Sequence, residues 1–343
     1  MQKVENPWRG EGLPEKVLNG APWPSIDAEA VRDLLGRCPA AKETPLVRVE
    51  GFGPELWVKD ERERMGLGSF KALGAAYVIA HDAAELDKET PEGALDGRTY
   101  VTASAGNHGL SVAAGAHVFG ARAVIYLSEQ VPETFAERLR AKGADVIRSG
   151  VDYEASMVAA GRAAQDNDWI LLSDSSWPAY FDVPHRLMEG YLAMAAEVTG
   201  RMEPAPTHIL LQAGVGGMAG ATAAWFRHVW GDAPQIIVVE PERAPALYDS
   251  IREGRPLETN GEVSNMGRLD CKVPSLIALK GLARDADAFV TISDAEAAGV
   301  LSDLADKGLS STPSGAAGIA ALRALDLPND ARVLCILSEE AEG

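Results

Sequence analysis

The chain has 343 residues, of which 46% are hydrophobic, so it can bury a substantial core, and its length suits two lobes better than one compact unit. A formal net charge of −18 without an offsetting basic cluster argues against nucleic acid or a membrane surface as a partner. Its cysteines, Cys38, Cys271 and Cys335, lack the spacing of a disulfide framework or a zinc site. With no apolar run long enough to cross a bilayer and no apolar signal core, we expect a cytoplasmic protein.

Short apolar segments alternate with alanine-rich helical stretches along most of the chain, after a loop-rich start of about 25 residues. This alternation predicts an α/β fold with two open, twisted, mostly parallel sheets and helices on both faces. The predicted strands are ELWVKD (55–60), RTYVTA (98–103), RAVIYLS (122–128), ADVIRSG (144–150), WILLSD (169–174), THILLQAG (207–214), QIIVVEPE (235–242), AFVTISD (288–294) and ARVLCILS (331–338).

The segment GLGSFKALGAAY, residues 66–77, places Lys71 between the aromatic Phe70 and a run of glycine and alanine. A lysine on a solvated helix face usually has polar neighbours, so we expect a buried or half-buried amine. Desolvation would lower the pKa of such an amine and make it available as a nucleophile or a base. Taken alone, a lysine whose stem packs on apolar surface while its ammonium reaches water is the more common explanation.

The segment TASAGNHGLSVAAGA, residues 102–116, reads as a strand, a glycine-containing turn and a helix. Ser104, Asn107 and His108 crowd this turn, whose backbone amides suit a small anion such as a carboxylate. A structural explanation is equally available. Ser104 can cap the helix, and Asn107 can adopt a left-handed turn conformation.

The segment LLQAGVGGMAGATAAWF, residues 210–226, runs from an apolar strand through a glycine-rich turn into a helix. Glycines allow backbone N–H groups to face a bound group, and the helix N-terminus adds partial positive charge, so the turn can hold a phosphate without a basic side chain. Close packing of helix on strand is the alternative. A dinucleotide site is less favoured because the G-x-G-x-x-G spacing is incomplete and late in the chain.

A phosphate turn, a carboxylate turn and a lysine in apolar surroundings are what an enzyme needs to hold pyridoxal phosphate as a Schiff base. The motifs SFK and SAGNHG also resemble those of the fold-type II pyridoxal-phosphate enzymes, including serine and threonine dehydratases. The chain is most similar to 2,3-diaminopropionate ammonia-lyases, from about residue 44 to the C-terminus. This likeness is carried, in order and spacing, by KDERERMGLGSFKALGAAY, SAGNHG, LLSDSSWPAYFDVPHRLMEGY, THILLQAGVGGMAG and VEPERAP.

The resemblance implies a role for each matching residue. Lys71 matches the Schiff-base lysine, Phe70 the residue packed on the cofactor ring, and Asn107 the asparagine that bonds the phenolic oxygen. Ser338 matches the residue that bonds the pyridine nitrogen; a neutral hydroxyl there suits β-elimination better than transamination. A serine that merely ends a strand is the alternative. The family's phosphate loop matches Gly214, Val215, Gly216, Gly217 and Met218, and its carboxylate-binding positions match Ser104, Gly106 and His108.

Three departures from the family pattern bear on the substrate. Ala105 stands where lyases that accept both enantiomers carry an aspartate, so we expect an L-amino acid. Region 250–290 is shortened, and the chain stops soon after Ser338, with Glu340 in place of a glycine. The family's second aspartate is matched by Asp174, which can protonate or orient a β-leaving group. A turn residue at the end of a strand is the alternative for Asp174.

The resemblance therefore implies pyridoxal-phosphate-dependent α,β-elimination of an L-amino acid with a β-amino leaving group, converting 2,3-diaminopropionate to pyruvate and ammonia. Lys71 would remove the α-proton, and Asp174 or the cofactor phosphate would assist the leaving group. The alternatives are a serine, threonine or hydroxyaspartate dehydratase, then a β-replacement enzyme of the cysteine-synthase kind, and last a non-catalytic regulator that binds the cofactor or a nucleotide.

We expect residues 97–190 to form a small substrate-binding domain and residues 1–96 and 191–343 a large cofactor-binding domain, with the cofactor in the cleft between them. The resemblance implies a homodimer acting on a small amino-acid substrate. No metal is assigned, because Glu240 in VVEPE is expected to cap a strand end rather than to bind a cation.

Overall fold

A computed structural model describes residues 1–86 and 92–341. In it, the larger sheet has seven strands, of which the edge strands are antiparallel to their neighbours and the others run parallel. With strands numbered in chain order, the spatial order is β1 (Gln2–Glu5), β10 (Ala288–Ile292), β9 (Gln235–Pro241), β8 (His208–Gln212), β11 (Arg332–Leu337), β3 (Glu55–Asp60) and β2 (Leu46–Val49).

The smaller sheet has four parallel strands. Their spatial order is β6 (Asp145–Arg148), β5 (Arg122–Leu127), β4 (Thr99–Ala103) and β7 (Ile170–Leu171). The central strand β4 is buried along its whole length, as expected for a parallel sheet covered by helices on both faces.

Helices cover both sheets. They are α1 (Ala28–Leu35), α2 (Lys71–Ala84), α3 (Asn107–Val118), α4 (Glu133–Ala141), α5 (Tyr153–Asn167), α6 (Asp182–Gly190), α7 (Leu192–Thr199), α8 (Gly217–Trp230), α9 (Ala246–Glu253), α10 (Leu276–Asp285), α11 (Asp294–Ala298), α12 (Leu301–Ala305) and α13 (Ala317–Ala324). Among the described residues, no helix combines the length and apolarity required to span a membrane. Helix α2 packs closely against α3 and α6 and so connects the smaller sheet to the rest of the molecule.

The predicted fold class is confirmed, and each of the nine predicted segments contains a strand. The prediction is least accurate at 169–174, where the strand covers only Ile170–Leu171. It also missed β1 and β2, the two edge strands of the larger sheet. Strand β1 lies in the segment expected to be loop-rich, because its exposed, polar sequence QKVE carries no apolar pattern.

The site residues follow the carboxyl ends of parallel strands, where open α/β sheets place their ligands. Strand β3 leads to the loop before Lys71, β4 to the turn at Ser104, and β8 to the glycine turn. Asp174 comes soon after β7, and Ser338 directly follows β11. Both sheets therefore contribute residues to one region.

Candidate active site

The loop between β3 and α2 presents Lys71 as the first residue of its helix. Gly66 and Gly68 have φ angles of 68° and 77°, which only glycine adopts without strain. The C-terminal segment holds this loop, since the Phe70 N–H donates to the Ser338 carbonyl at 3.1 Å and the Glu340 N–H to the Gly68 carbonyl at 2.9 Å. The lysine therefore starts from a fixed backbone.

Lys71 forms an ion pair with Asp174, in which Nζ donates to Oδ2. Both side chains are mostly buried, at 23% and 20% exposure. Burial acts to lower the pKa of Lys71, but the Asp174 carboxylate outweighs it and raises that pKa above its usual range. Burial likewise acts to raise the pKa of Asp174, and the Lys71 ammonium holds it well below its usual range. The predicted depression of the Lys71 pKa is therefore wrong, because the amine has a carboxylate partner.

The turn between β4 and α3 is organised by Ser104. Its hydroxyl accepts hydrogen bonds from the backbone N–H of Gly106 at 3.2 Å and of Gly109 at 3.0 Å, so Ser104 binds the first turn of α3 although the N-cap position is Gly106. Asn107 is the first residue of α3, so the left-handed alternative for it is wrong. Its side-chain amide donates to Glu339 Oε2 at 2.6 Å.

His108 is buried, with 6% exposure, and its Nε2 lies 2.8 Å from the carbonyl oxygen of Leu172. A carbonyl can only accept, so Nε2 carries the proton and Nδ1 offers a lone pair. This Nδ1 has no hydrogen-bond partner among the described residues. Burial lowers the pKa of His108, which keeps the ring neutral beside Lys71 and Asp174.

The glycine turn after β8 leaves no room for a side chain at Gly214 and Gly216. A β-carbon on Gly214 would lie 2.9 Å from the Cys271 sulfur, and one on Gly216, whose φ is 95°, would lie 3.0 Å from Ala278. Gly217 and Met218 begin α8 and are buried. Burial also raises the pKa of the Cys271 thiol to about 12, so the group beside the turn stays uncharged.

A comparison with protein families identifies the family to which the chain belongs. The family model described as "Pyridoxal-phosphate dependent enzyme" matches residues 38–339. The chain belongs to this family. The cofactor of this enzyme is therefore pyridoxal phosphate, and the predicted membership of the fold-type II group is confirmed.

Two curated relatives are diaminopropionate ammonia-lyases, which confirms the resemblance carried by the motifs. The enzyme is 34% identical to that of Salmonella typhimurium over 269 residues, which are 72% of this chain and 66% of the relative, just under two thirds of its length. It is 31% identical to that of Escherichia coli strain K12 over 339 residues, which are 90% of this chain and 85% of the relative.

A solved structure gives the same result for the fold. The E. coli diaminopropionate ammonia-lyase in complex with an aminoacrylate-PLP azomethine reaction intermediate is 30% identical to the enzyme, with a TM-score of 0.86. The superposition covers 99% of this chain and 93% of that one.

The glycine turn of the enzyme fits the cofactor's phosphate. Its glycines bring bare backbone close to the N-terminus of α8, where N–H groups and the helix dipole favour an anion. The first helical residue, Gly217, also lies near Asp174, since a β-carbon on it would be 3.8 Å from the Asp174 carbonyl oxygen. The glycine turn and the Lys71–Asp174 pair are therefore neighbours.

Two other predicted residues have defined positions. Ser338 is buried, with 5% exposure, and its backbone is hydrogen-bonded to Gly315 and Phe70. Its role toward the pyridine nitrogen stays a prediction.

Glu240 accepts hydrogen bonds from the backbone N–H of Leu247 and Tyr248, at 2.8 and 2.7 Å, so it caps the start of α9. Burial raises the pKa of Glu240 to about 8 despite these two bonds.

The sequence did not reveal three further residues of the site. Arg268 Nε is 2.9 Å from Glu339 Oε2 and 3.9 Å from the position of a β-carbon on Gly106. Neither Arg268 nor Glu339 belongs to a recognisable motif. Tyr191 ends the motif LLSDSSWPAYFDVPHRLMEGY, but nothing in that motif indicates that its side chain lies beside Phe70, with ring centroids 5.0 Å apart.

Proposed function

We propose that this enzyme eliminates the β-amino group of L-2,3-diaminopropionate and releases pyruvate and ammonia. The observation that carries the proposal is the Lys71–Asp174 ion pair, which lies beside the phosphate turn. A lysine that moves the α-proton to the leaving amino group and a carboxylate that orients that group are the two side chains that this reaction needs. The same activity in the name of both curated relatives supports it.

In this proposal the cofactor is held by residues from several elements. Lys71 binds it covalently, Phe70 packs against its ring, and Asn107 and Ser338 bond its phenolic oxygen and pyridine nitrogen. The backbone of Gly214, Val215, Gly216, Gly217 and Met218 holds its phosphate. When bound, the cofactor supplies an electron sink that makes the proton on the substrate's α-carbon acidic.

The substrate's carboxylate binds at the turn formed by Ser104, Gly106 and His108. Arg268 supports this assignment, because its Nε lies 3.9 Å from the β-carbon position of Gly106, so an anion bound there would share the guanidinium with Glu339. Ala105 offers no acid for a D-enantiomer at this turn, so the L-enantiomer is the expected substrate.

Lys71 carries out both proton transfers, and Asp174 stabilises the Lys71 ammonium and orients the leaving group. The neutral Lys71 amine takes the α-proton and becomes an ammonium, which the Asp174 carboxylate stabilises. The depressed pKa of Asp174 means that it stays ionised, so it orients the β-amino group rather than protonating it. Lys71 then delivers its proton to that group as the bond from the β-carbon to nitrogen breaks, and water completes the conversion to pyruvate and a second ammonia.

The test is to compare L-2,3-diaminopropionate with L-serine as substrates of wild type, Lys71→Ala and the exposed control Lys307→Ala. We expect wild type and control to show the visible band of lysine-bound cofactor and to release twice as much ammonia as pyruvate from diaminopropionate. Lys71→Ala should lose the band, and its turnover should fall by about 10²- to 10⁴-fold. Faster pyruvate formation from L-serine would instead identify a dehydratase, and no band after incubation with the cofactor would contradict the covalent role of Lys71.

We further propose that residues 97–190 form a small substrate domain that closes on a large domain of residues 1–96 and 191–343, and that the enzyme is a cytoplasmic homodimer. The position of the four-stranded sheet, within residues 99–171, supports the domain boundaries. Sedimentation velocity of the holoenzyme at several concentrations tests the dimer, since a single species of monomer mass would contradict it.

A further inference from the structure

Tyr191 carries a buried hydroxyl that the proposed mechanism does not use. The residue joins α6 to α7 and is 1% exposed. Its hydroxyl has no hydrogen-bond partner in the described part of the chain. Leaving a polar group unsatisfied in the interior is destabilising, and phenylalanine would pack equally well without that cost. The hydroxyl therefore calls for a functional explanation.

The ring of Tyr191 is inserted between the helix of Lys71 and the phosphate turn. Its Cε1 lies 2.9 Å from the position of a β-carbon on Gly74, one turn after Lys71 in α2. Its Cε2 lies 3.7 Å from the corresponding position on Gly217, the first residue of α8. Because these two carbons flank the carbon that bears the hydroxyl, the polar end of the ring lies between the two elements.

The hydroxyl is close to both members of the ion pair. Burial raises the pKa of Tyr191 to about 12, and the charges of Lys71 and Asp174 act on it in opposite directions. Tyr191 therefore keeps its proton over the physiological pH range. A neutral hydroxyl can accept a hydrogen bond from an ammonium and donate one to an amine, so it can pair with Lys71 in both of its protonation states.

We propose that Tyr191 is a positioning residue that hydrogen-bonds Lys71 Nζ in the holoenzyme, and that it keeps this bond while Asp174 engages the leaving β-amino group. This inference rests on the proposed function, which gives Asp174 that second partner. A lysine side chain has four rotatable bonds, and its amine would lose direction when the carboxylate turned to the substrate. The Tyr191 hydroxyl keeps Nζ aligned for the α-proton and exchanges no proton itself.

The test is the holoenzyme of Tyr191→Phe, which removes the hydroxyl and keeps the ring. We expect kcat to fall about tenfold with KM within about twofold of wild type, the effect of one lost hydrogen bond to a reacting group. Hydroxylamine should release the cofactor about tenfold faster, since Lys71 is held less firmly. The unfolding temperature should change little, because the ring and its packing are kept and only one hydrogen bond is lost.

Tyr100→Phe is the matched control. Tyr100 is also fully buried, but its hydroxyl donates to Asp82 Oδ2 at 2.6 Å, so this variant should lose stability and keep both kcat and the release rate. The proposal is overturned if Tyr191→Phe releases cofactor at the wild-type rate, raises KM alone, or loses activity only in step with unfolding. Failure of the proposed function looks different: wild type would not convert diaminopropionate, and the hydroxylamine rates would still decide the role of Tyr191.

Discussion

Two buried ionic clusters, at opposite ends of the loop that joins β3 to α2, differ in how completely their charges are paired. The first, here called the anchor cluster, comprises Lys59, Glu61, Arg64 and Glu197 with Thr44. Arg64 donates to Glu61 through two bonds of 2.7 Å and to Glu197 at 2.9 and 2.7 Å. Lys59 donates to the Thr44 carbonyl at 2.7 Å and pairs with Glu197. Each of these charges has more than one partner, which fixes the loop to α7.

The second cluster is the pair of Lys71 and Asp174, which hold each other through a single contact. Two buried polar atoms near them, His108 Nδ1 and the Tyr191 hydroxyl, have no hydrogen-bond partner among the described residues. A fully satisfied network resists change, whereas an incompletely satisfied one can exchange partners with a ligand. The comparison indicates that the anchor cluster stabilises the fold and that the Lys71–Asp174 pair, here called the site pair, takes part in the reaction.

The largest expected effect is the loss of turnover on substitution of Asp174, without a matching loss of stability. The variant Asp174→Asn keeps a similar shape but loses the charge that stabilises the Lys71 ammonium and orients the leaving group. We expect kcat to fall by about 10²- to 10⁴-fold, the usual range for a positioned acid–base group. Stability should change little, because the Lys71 and Asp174 side chains are 23% and 20% exposed, whereas Arg64 and Glu61 of the anchor cluster are 1% and 0% exposed. Pyruvate formation and thermal unfolding of the holoenzyme provide the two measurements.

The exposed Asp182, in the first turn of α6, supplies the matched control. Asp182→Asn should leave both kcat and the unfolding temperature at wild-type values. If Asp174→Asn instead lowered the stability and kept the turnover, the Lys71–Asp174 pair would be structural and the comparison would fail.

The opposite result is expected at Arg64, which is 1% exposed. Replacing it with methionine leaves the fully buried Glu61 carboxylate short of its main partner, which should reduce the free energy of unfolding by about 3–5 kcal/mol. The protein that remains folded should keep kcat within about threefold, since the cluster touches no reacting atom. Urea unfolding and turnover at low temperature measure the two effects.

Arg62→Met is a matched control two residues away. Its guanidinium pairs with Asp60 at 2.7 Å and donates to the carbonyls of Gly308 and Ser310, but the side chain is 20% exposed, against 1% for Arg64, so this variant should lose less free energy of unfolding than Arg64→Met. Equal losses of stability in the Arg62 and Arg64 variants would show that burial of the anchor cluster has no special effect.

The sequence was sufficient where local pattern determines structure. Parallel strands buried on both faces are continuous apolar runs, so the strands of the core were identified, whereas the exposed β1 was not. The glycine turn was recognised because the chain needs backbone without side chains at Gly214 and Gly216. Family resemblance then indicated roles for Lys71 and Asp174.

Long-range contacts explain what the sequence could not predict. The pKa of Lys71 depends on Asp174, which is 103 residues away, and the expected lowering followed from considering the local segment alone. The pairing of Arg268 with Glu339, and the position of the Tyr191 hydroxyl, likewise arise when separate elements meet. Neither composition nor spacing contains that information.

The smallest expected effect sharpens the comparison through pH. Only a neutral amine reacts with the cofactor's carbonyl, and Asp174 raises the pKa of Lys71 above its usual range. The experiment removes the cofactor and then measures how fast the wild-type apoenzyme binds added cofactor covalently, which is here called capture. The rate of capture should rise about tenfold per pH unit between about pH 7 and 9. In Asp174→Asn the carboxylate that opposes the effect of burial is gone, so the pKa of Lys71 falls, and capture should be faster at pH 7 and rise less steeply with pH.

Unfolding does not contribute to the pH dependence of the capture rate. The stabilisation from a lysine with a raised pKa is fully present below its ordinary pKa and is lost as the pH rises through the raised value. The stabilisation from an aspartate with a depressed pKa is present above its ordinary pKa and is lost in acid. Between about pH 7 and 9 both contributions are constant, so the slope of the capture rate reports the protonation of Lys71. Equal slopes in wild type and Asp174→Asn would mean that Asp174 does not control that amine, and the site pair would then be no more reactive than the anchor cluster.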